Sequence, residues 1–292
     1  APPPQSGACV AALWAPSRDL DAAVANNGQA NRVWINTGGL FTDSGQLLGS
    51  HNSRDVSLGD LDGDGDLDAF VANDGQGNRV WLNSGGVLVD SGQILGTSNS
   101  YRAALGDLDA DGDLDVLVAN DAQGNRVWLN AAGLFTDTGQ SLGNHNSGGV
   151  ALGDLDGDGD LDAFIANAGQ ADRIWLNGAA IFTDSGQVLG ALGSAGAALG
   201  DLDQDGDLDA VVATYAAGNR VVTDSANSSL VAVAPANAVQ AEGNGGTTSF
   251  TFEVTRTGNL GGPSTVAFAV TGSGDDPADP ADFGGAFPSG TV

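Results

Sequence analysis

The sequence predicts an all-β chain: a β-propeller of about five four-stranded repeats with a 47-residue period, followed by part of a β-sandwich. Three observations carry the prediction. An acidic stretch recurs at a fixed step. Trp34, Trp81, Trp128 and Trp175 keep that step, as do Arg32, Arg79, Arg126, Arg173 and Arg220, and Gln46, Gln93, Gln140 and Gln187. Between them run short apolar segments separated by Gly, Asn and Asp, with no 3.6-residue periodicity; the 46 glycines further exclude helical repeats of similar length.

The second repeat shows the whole unit. Asp55 to Leu58 reads as a first strand, the acidic stretch turns it, and Ala69 to Asn73 returns antiparallel. Asp74 to Asn78 is turn chemistry, Arg79 to Asn83 a third strand, Ser84-Gly85-Gly86 a turn and Val87 to Leu95 a fourth strand. The first repeat begins after an extended Pro-rich lead-in at residues 1–8, with a strand at Cys9 to Leu13 and matching segments at Ala22 to Asn26, Asn31 to Asn36 and Leu40 to Leu48. The fifth departs: Val222 stands where Trp is expected, and no clear fourth strand follows Ser225. The repeats are placed at residues 9–225, a linker with one short strand at 226–238, and the second domain at 239–292, where Phe250, Phe252 and Val254, then Val266, Phe268 and Val270, alternate with other residues as half-buried strands do.

The acidic stretch Asp60-Leu61-Asp62-Gly63-Asp64-Gly65-Asp66-Leu67-Asp68 puts five carboxylates in nine residues. Close like charges raise one another's pKa, so the cluster is costly unless a cation neutralises it. Hard oxygen donors at alternate positions suit calcium, which accepts about six to eight oxygens in flexible geometry. Asp60, Asp62 and Asp64 are expected to offer side-chain oxygens, Gly65 a sharp turn, Asp66 its backbone carbonyl and Asp68 a closing carboxylate. An EF-hand is rejected, because the twelfth loop residue is Val71 rather than Glu. The same spacing recurs in Asp107, Asp109, Asp111, Asp113 and Asp115; in Asp154, Asp156, Asp158, Asp160 and Asp162; and in Asp201, Asp203, Asp205, Asp207 and Asp209, for about four calcium ions. The first repeat keeps only Asp19 and Asp21, with Leu13, Ala15 and Ser17 in place of the other three acids, and is expected to bind no metal.

These residues carry a family resemblance. Gly-Asp-Leu-Asp-x-Asp-Gly-Asp-Leu-Asp, an apolar run and Asn-Arg-Val-Trp-Leu-Asn resemble the FG-GAP/VCBS repeats that also build the integrin α-subunit head, over about residues 9–224. The resemblance implies a propeller with calcium held in hairpin loops by the acids at loop positions one, three, five and nine and the carbonyl at seven, leaving the side chains of Asp66, Asp113, Asp160 and Asp207 turned away. Ala241-Glu242-Gly243, Phe252 to Gly258 and the acidic Asp275 to Asp282 stretch resemble the Calx-β motif, an immunoglobulin-like sandwich. Some of its members bind calcium through acids such as Glu242, Asp276 and Asp282; a solvated acidic loop is the other reading of those residues here.

Composition bounds the function. The chain of 292 residues has 37 acidic against 9 basic residues, a formal charge of -28, so nucleic acid and insertion into an anionic membrane are disfavoured. Four calcium ions would bring the charge to about -20. Cys9 is the only cysteine, read as a small buried hydrophobe. Calcium sites of this kind stay filled in the millimolar calcium outside cells, which predicts a secreted or cell-surface protein in mature or trimmed form. The periodic Trp residues read as packing between blades rather than a sugar platform, and the periodic Arg residues as partners of nearby carboxylates or carbonyls rather than an anion site. His51 and His145 share a repeat position that also takes Ser98 and Leu192, which argues against a catalytic or zinc role. No nucleophile elbow, P-loop or HExxH motif is present. The expectation is a calcium-stabilised adhesion or structural module, not an enzyme, binding a protein or glycan. Two alternatives stand beside it: a filament subunit that assembles with identical copies, and a polysaccharide lyase or hydrolase on a propeller scaffold. A recognition surface is expected where the repeats differ, at Ser50 to Arg54, Ser98 to Arg102, Asn144 to Gly148 and Ala191 to Gly196.

Overall fold

The computed structural model describes residues 8–11, 19–190, 193–215, 218–223, 230–234, 253–257, 267–269 and 289–291, with side chains between 19 and 223. The chain divides into two compact units, Ala1–Asp224 and Ser225–Val292.

In the first unit each repeat forms an antiparallel sheet whose strands follow chain order. The first sheet holds β1 (Ala8–Ala11), β2 (Asp21–Val24), β3 (Asn27–Thr37) and the start of β4 (Leu40–Gly59). β4 belongs to two sheets: Leu40 to Asn52 pair with β3, and Ser53 to Gly59 pair with β5 (Asp68–Asn73). The expected strands at Leu40 to Leu48 and Asp55 to Leu58 are thus one continuous element, bent at Gly45 and Gly49, whose φ values of 77° and 65° suit glycine. β6 (Arg79–Ser84) and β7 (Val87–Asp90) complete the second sheet. The third comprises β8 (Ser100–Gly106), β9 (Asp115–Asn120), β10 (Arg126–Ala131) and β11 (Leu134–Asp137). The fourth comprises β12 (Ser147–Gly153), β13 (Asp162–Asn167), β14 (Arg173–Gly178) and β15 (Ile181–Asp184). The fifth shows three strands among the described residues, β16 (Ser194–Gly200), β17 (Asp209–Thr214) and β18 (Arg220–Val222).

The fourth strands are shorter than the sequence suggested. β7 stops at Asp90, whose Oδ1 accepts the amide of Gly92 at 2.8 Å in a local turn, and only Leu95 rejoins the sheet, through a bridge to Asn78.

Alternate residues of a strand face opposite ways, so a strand buried at every position lies in a sheet covered on both sides. β5, β9 and β13 are such strands. Ala69 and Val71 of β5 pack back against Ala23, Val33 and Leu48 of the first repeat. Phe70 and Ala72 pack forward with Trp128 and Phe135 of the third, the Phe70 and Phe135 rings meeting edge to face at 6.1 Å. Trp81 and Trp128 are buried in these junctions, where the periodicity placed them.

Polar clasps join the same junctions. The Gln93 side chain donates to the Gly133 carbonyl at 2.7 Å and accepts the Phe135 amide at 2.9 Å; Gln46 does the same with Gly86 and Leu88, and Gln140 with Ala180 and Phe182. The periodic arginines pair with a carboxylate of their own sheet: Arg32 with Asp43, Arg79 with Asp90, Arg126 with Asp137 and Arg173 with Asp184. Arg220 instead crosses to the buried Asp172 of the fourth repeat at 2.7 Å. Where the other repeats carry a tryptophan, Val222 borders a half-open pocket of about 80 Å³ between the fourth and fifth sheets, lined by Phe164, Ile174, Leu189 and Leu208 among others.

The sheets form repeated four-stranded units of the propeller kind; among the described residues no strand pairing joins the fifth sheet to the first, so these sheets are not closed into a ring.

In the second unit β19 (Leu230–Ala234) pairs with β20 (Glu253–Thr257), and β21 (Ala267–Ala269) with β22 (Ser289–Thr291). The short strand expected within the linker is thus paired with the strand containing Val254. The rest of the expected sandwich, with Glu242, Asp276 and Asp282, lies outside the described residues, as do Leu13, Ala15 and Ser17 of the first repeat.

Candidate metal centres

Each acidic loop joins the first and second strands of its sheet, and backbone amides shape it. In the second repeat Asp60 accepts the Gly63 amide on Oδ1 at 2.9 Å and the Gly65 amide on Oδ2 at 3.0 Å. Gly65 turns the loop with φ 93°, and Gly112, Gly159 and Gly206 do so with φ 98–99°. The fourth loop position is also left-handed, and it is Gly63 and Gly157 in two repeats but Ala110 and Gln204 in the others, at φ 62° and 65°.

Loop position nine is the structural anchor. Asp68 is fully buried and accepts the Leu61 amide at 2.8 Å and the Asn83 amide at 2.6 Å, tying the loop to the third strand. Asp115 repeats this with Leu108 and Asn130, and Asp162 with Leu155 and Asn177. The Asn130 side chain also donates to the Leu61 carbonyl at 2.8 Å, and Asn177 to Leu108 at 2.9 Å, so the loops of the second and third repeats are also held by the following sheet.

Ligand-capable oxygens of positions one, three and nine converge. Within each trio Asp60, Asp62 and Asp68; Asp107, Asp109 and Asp115; Asp154, Asp156 and Asp162; and Asp201, Asp203 and Asp209 bring one carboxylate oxygen each to within 4.8 Å of the others. Asp64, Asp111, Asp158 and Asp205 are not among these trios; each accepts the amide of the residue two further on, at 2.8–3.0 Å. The side chains of Asp66, Asp113 and Asp160 turn away and accept amides of the third-to-fourth strand turn, Gly85, Ala132 and Ala179.

Burial pushes the carboxyls of Asp68 and Asp162 above their usual range and that of Asp115 up to about 6. Asp109 and Asp156 are also raised, first by desolvation and then by the neighbouring Asp111 and Asp158 carboxylates. A cation held among these carboxylates would favour their charged forms and so oppose both effects. The all-oxygen donor set fits a hard divalent ion, so the four clusters could hold metal ions.

The degenerate first repeat separates anchoring from ligation. Asp21 accepts the Asn36 amide at 2.8 Å and Asp19 the Gly38 amide at 2.7 Å, the tasks of positions nine and seven in the other repeats. The acids retained there are those that hold the third-to-fourth strand hairpin. Sequence reading missed that role, and missed the glutamine clasps, although their 47-residue spacing was in plain view.

Of the segments where the repeats differ, Ser50 to Arg54 lies within β4, Ser98 to Arg102 and Asn144 to Gly148 run into the starts of β8 and β12, and in the fourth segment Gly193 to Gly196 runs into β16 while Ala191 and Leu192 lie outside the described residues. Arg54 pairs with Asp74 and stacks over the Tyr101 ring at 4.9 Å, while Gly148 and Gly149 allow close approach to the backbone at Ser194, Ala195 and Gly196. The described residues contain no helix long and apolar enough to cross a membrane.

No curated protein matches the chain. Among solved structures, BBS1N in complex with ARL6DN, from a lead-soaked crystal, matches at 11% identity with a TM-score of 0.51, covering 73% of this chain and 64% of that one. The V. cholerae biofilm matrix protein Bap1 matches at 16% identity with a TM-score of 0.44, covering 73% of this chain and 35% of that one. The chain thus spans less than two thirds of the BBS1N chain, and at 11% identity that likeness is one of fold. The FG-GAP-like repeat is matched over residues 18–71, 60–118, 107–165 and 154–212, each match running from one acidic loop through the next hairpin. With its repeated sheets and the recurring loops that join their first two strands, the chain belongs to the FG-GAP-like repeat family.

Proposed function

We propose that the chain is a calcium-stabilised structural or adhesion module of an extracellular protein, binding a protein or glycan partner. The observation that carries this reading is the convergence of three carboxylates in each of four loops, held together by backbone amides rather than by basic side chains. In the reading, Asp60, Asp62 and Asp68 and their counterparts hold the ion, with Asp64 and the Asp66 carbonyl completing the shell. The bound ion supplies positive charge that offsets carboxylate repulsion. Position nine then serves twice, because its carboxylate faces the ion while fixing the third strand, so ion occupancy and hairpin geometry are coupled. Millimolar external calcium keeps such loops filled, which is the basis for the extracellular assignment. The membership in the FG-GAP-like family agrees with it.

The test is thermal unfolding at controlled free calcium, with magnesium in parallel. A calcium-specific rise in melting temperature, with about four ions bound per chain by titration, is expected. Identical melting in chelator, magnesium and calcium overturns the proposal.

A further inference from the structure

The position-nine carboxylates do more than close their own loops, because the asparagines they fix reach back to the loop before. Asp115 accepts the Leu108 amide of its own loop on Oδ2 at 2.8 Å and the Asn130 amide of β10 on Oδ1 at 2.7 Å. The Asn130 side chain donates to the Leu61 carbonyl in the second-repeat loop at 2.8 Å, and the Leu61 amide donates to Asp68. The pattern repeats one unit on. Asp162 accepts the amide of Asn177 in β14, the Asn177 side chain donates to the Leu108 carbonyl at 2.9 Å, and the Leu108 amide donates to Asp115. One line of hydrogen bonds thus runs from Asp162 through Asp115 to Asp68 and joins the anchors of three loops.

The line is buried: every residue on it is at most 5% exposed, so water offers no substitute partner when one bond loosens. It also bears on the acids at position three. The Leu61 carbonyl belongs to the same planar peptide unit as the Asp62 amide, so the Asn130 side chain orients the backbone that carries Asp62. The hairpin turn after β10 touches the same acid. A Cβ on Gly133 would stand 3.0 Å from the Asp62 Cβ, and the neighbouring Ala132 amide donates to Asp113 of the third loop. At the next junction the Ala180 amide donates directly to the Leu108 carbonyl at 3.0 Å, and the Ala179 amide donates to Asp160. Each of these two hairpins is held by the acids of its own loop and braces the loop of the preceding repeat.

We propose that the second, third and fourth loops bind divalent cations with positive cooperativity, Asn130 and Asn177 being the positioning residues that couple them. The inference rests on the calcium reading of these loops. A loop whose acids are gathered holds its position-nine carboxylate, its asparagine and its hairpin turn in one arrangement. That arrangement orders the preceding loop, which then loses less freedom when it fills. Linkage makes the effect reciprocal, so occupancy of any of the three favours the others. The asparagine divides the work between two arms: its backbone amide serves its own loop and its side chain the preceding one. A side-chain substitution therefore cuts the coupling and leaves the donor to the position-nine acid in place.

The experiment is calorimetric titration of the metal-free full chain with calcium, with bound ions counted by native mass spectrometry, for wild type, Asn130→Ala, Asp109→Ala and Ser57→Ala. Wild type is expected to titrate more steeply than independent sites allow. Asn130→Ala keeps the same number of ions but binds one of them about fivefold or more weakly, the lower end of typical couplings, and titrates less steeply; urea unfolding in chelator reports its structural cost separately. Asp109→Ala leaves every bond of the line in place, loses its own ion and weakens binding at the neighbouring loops by a similar factor, so it decides the question if Asn130→Ala does not fold. The two effects do not add in the double variant. Ser57 donates to the Ala103 carbonyl at 3.0 Å across the same junction but outside the line, and Ser57→Ala is expected to titrate as wild type. Equal weakening in Ser57→Ala and Asn130→Ala overturns the proposal by assigning the effect to a loosened junction. Independent sites, with Asp109→Ala losing one ion and leaving the other affinities unchanged, overturn the coupling while the calcium reading stands; a chain that binds no calcium overturns both.

Discussion

Positions three and nine of a loop both belong to the candidate ion site, but the structure gives them different work, and the third repeat separates the two. Asp109 accepts one exposed amide, that of Asp111 at 3.2 Å, and sits beside other carboxylates. Asp115 is fully buried and accepts the amides of Leu108 and Asn130 at 2.8 and 2.7 Å. In chelator, Asp115→Ala strands two buried N–H groups at about 1–3 kcal/mol each, partly offset because a buried carboxylate no longer has to be desolvated. The net cost is about 2–4 kcal/mol, or about 5–12 °C in melting temperature for a unit of this size. Asp109→Ala removes a weak hydrogen bond and a repulsive charge, and is expected to shift stability by less than about 1 kcal/mol in chelator. In calcium both variants lose one bound ion, countable by titration. Urea unfolding of both variants with and without calcium is the assay. Equal costs for the two variants in chelator would refute the division into anchor and ligand.

Three further outcomes are expected. In metal-free buffer the melting temperature falls as pH rises from 3.8 to about 6, because burial raises the Asp115 carboxyl and the fold favours its neutral form below that window; calcium, which binds the carboxylate, reverses the slope, and a metal-free melting temperature that rises with pH contradicts the assignment. Val222→Trp restores the missing junction tryptophan and fills the half-open pocket of about 80 Å³, with a gain below the roughly 2 kcal/mol that an enclosed cavity of this size would give at about 24 cal/mol per Å³; a variant less stable than wild type in urea would show that the site cannot accept the ring. Gln93→Ala removes both hydrogen bonds of its clasp to Gly133 and Phe135, at a cost of about 1–3 kcal/mol by denaturant unfolding, and an unchanged midpoint would mean the clasp is replaced by water.

The repeat, its strands and its acidic loops were legible because they are periodic: a 47-residue step shows in single residues whatever the local conformation. What could not be read is whether neighbouring segments merge. The sequences around Leu48 and Leu95 look alike, yet the first runs on within β4 and the second breaks into a turn and a single bridge, a choice made by pairing rather than by composition. The dual task of Asp68 was hidden for a different reason. Five acids at alternate positions look equivalent in sequence, and only the direction of the Leu61 and Asn83 amides distinguishes the ninth. The first repeat held the clue, since Asp19 and Asp21 remain where three other acids are gone.

The double-sided burial of β5, β9 and β13 bears on how such a chain can lengthen. Each junction is written entirely in two faces, one forward and one rear, and those faces sit at fixed positions within every 47-residue unit. Copying one unit in tandem therefore supplies its own two contacts and disturbs none of the existing ones, so a gene duplication adds a sheet without requiring a single compensating substitution elsewhere.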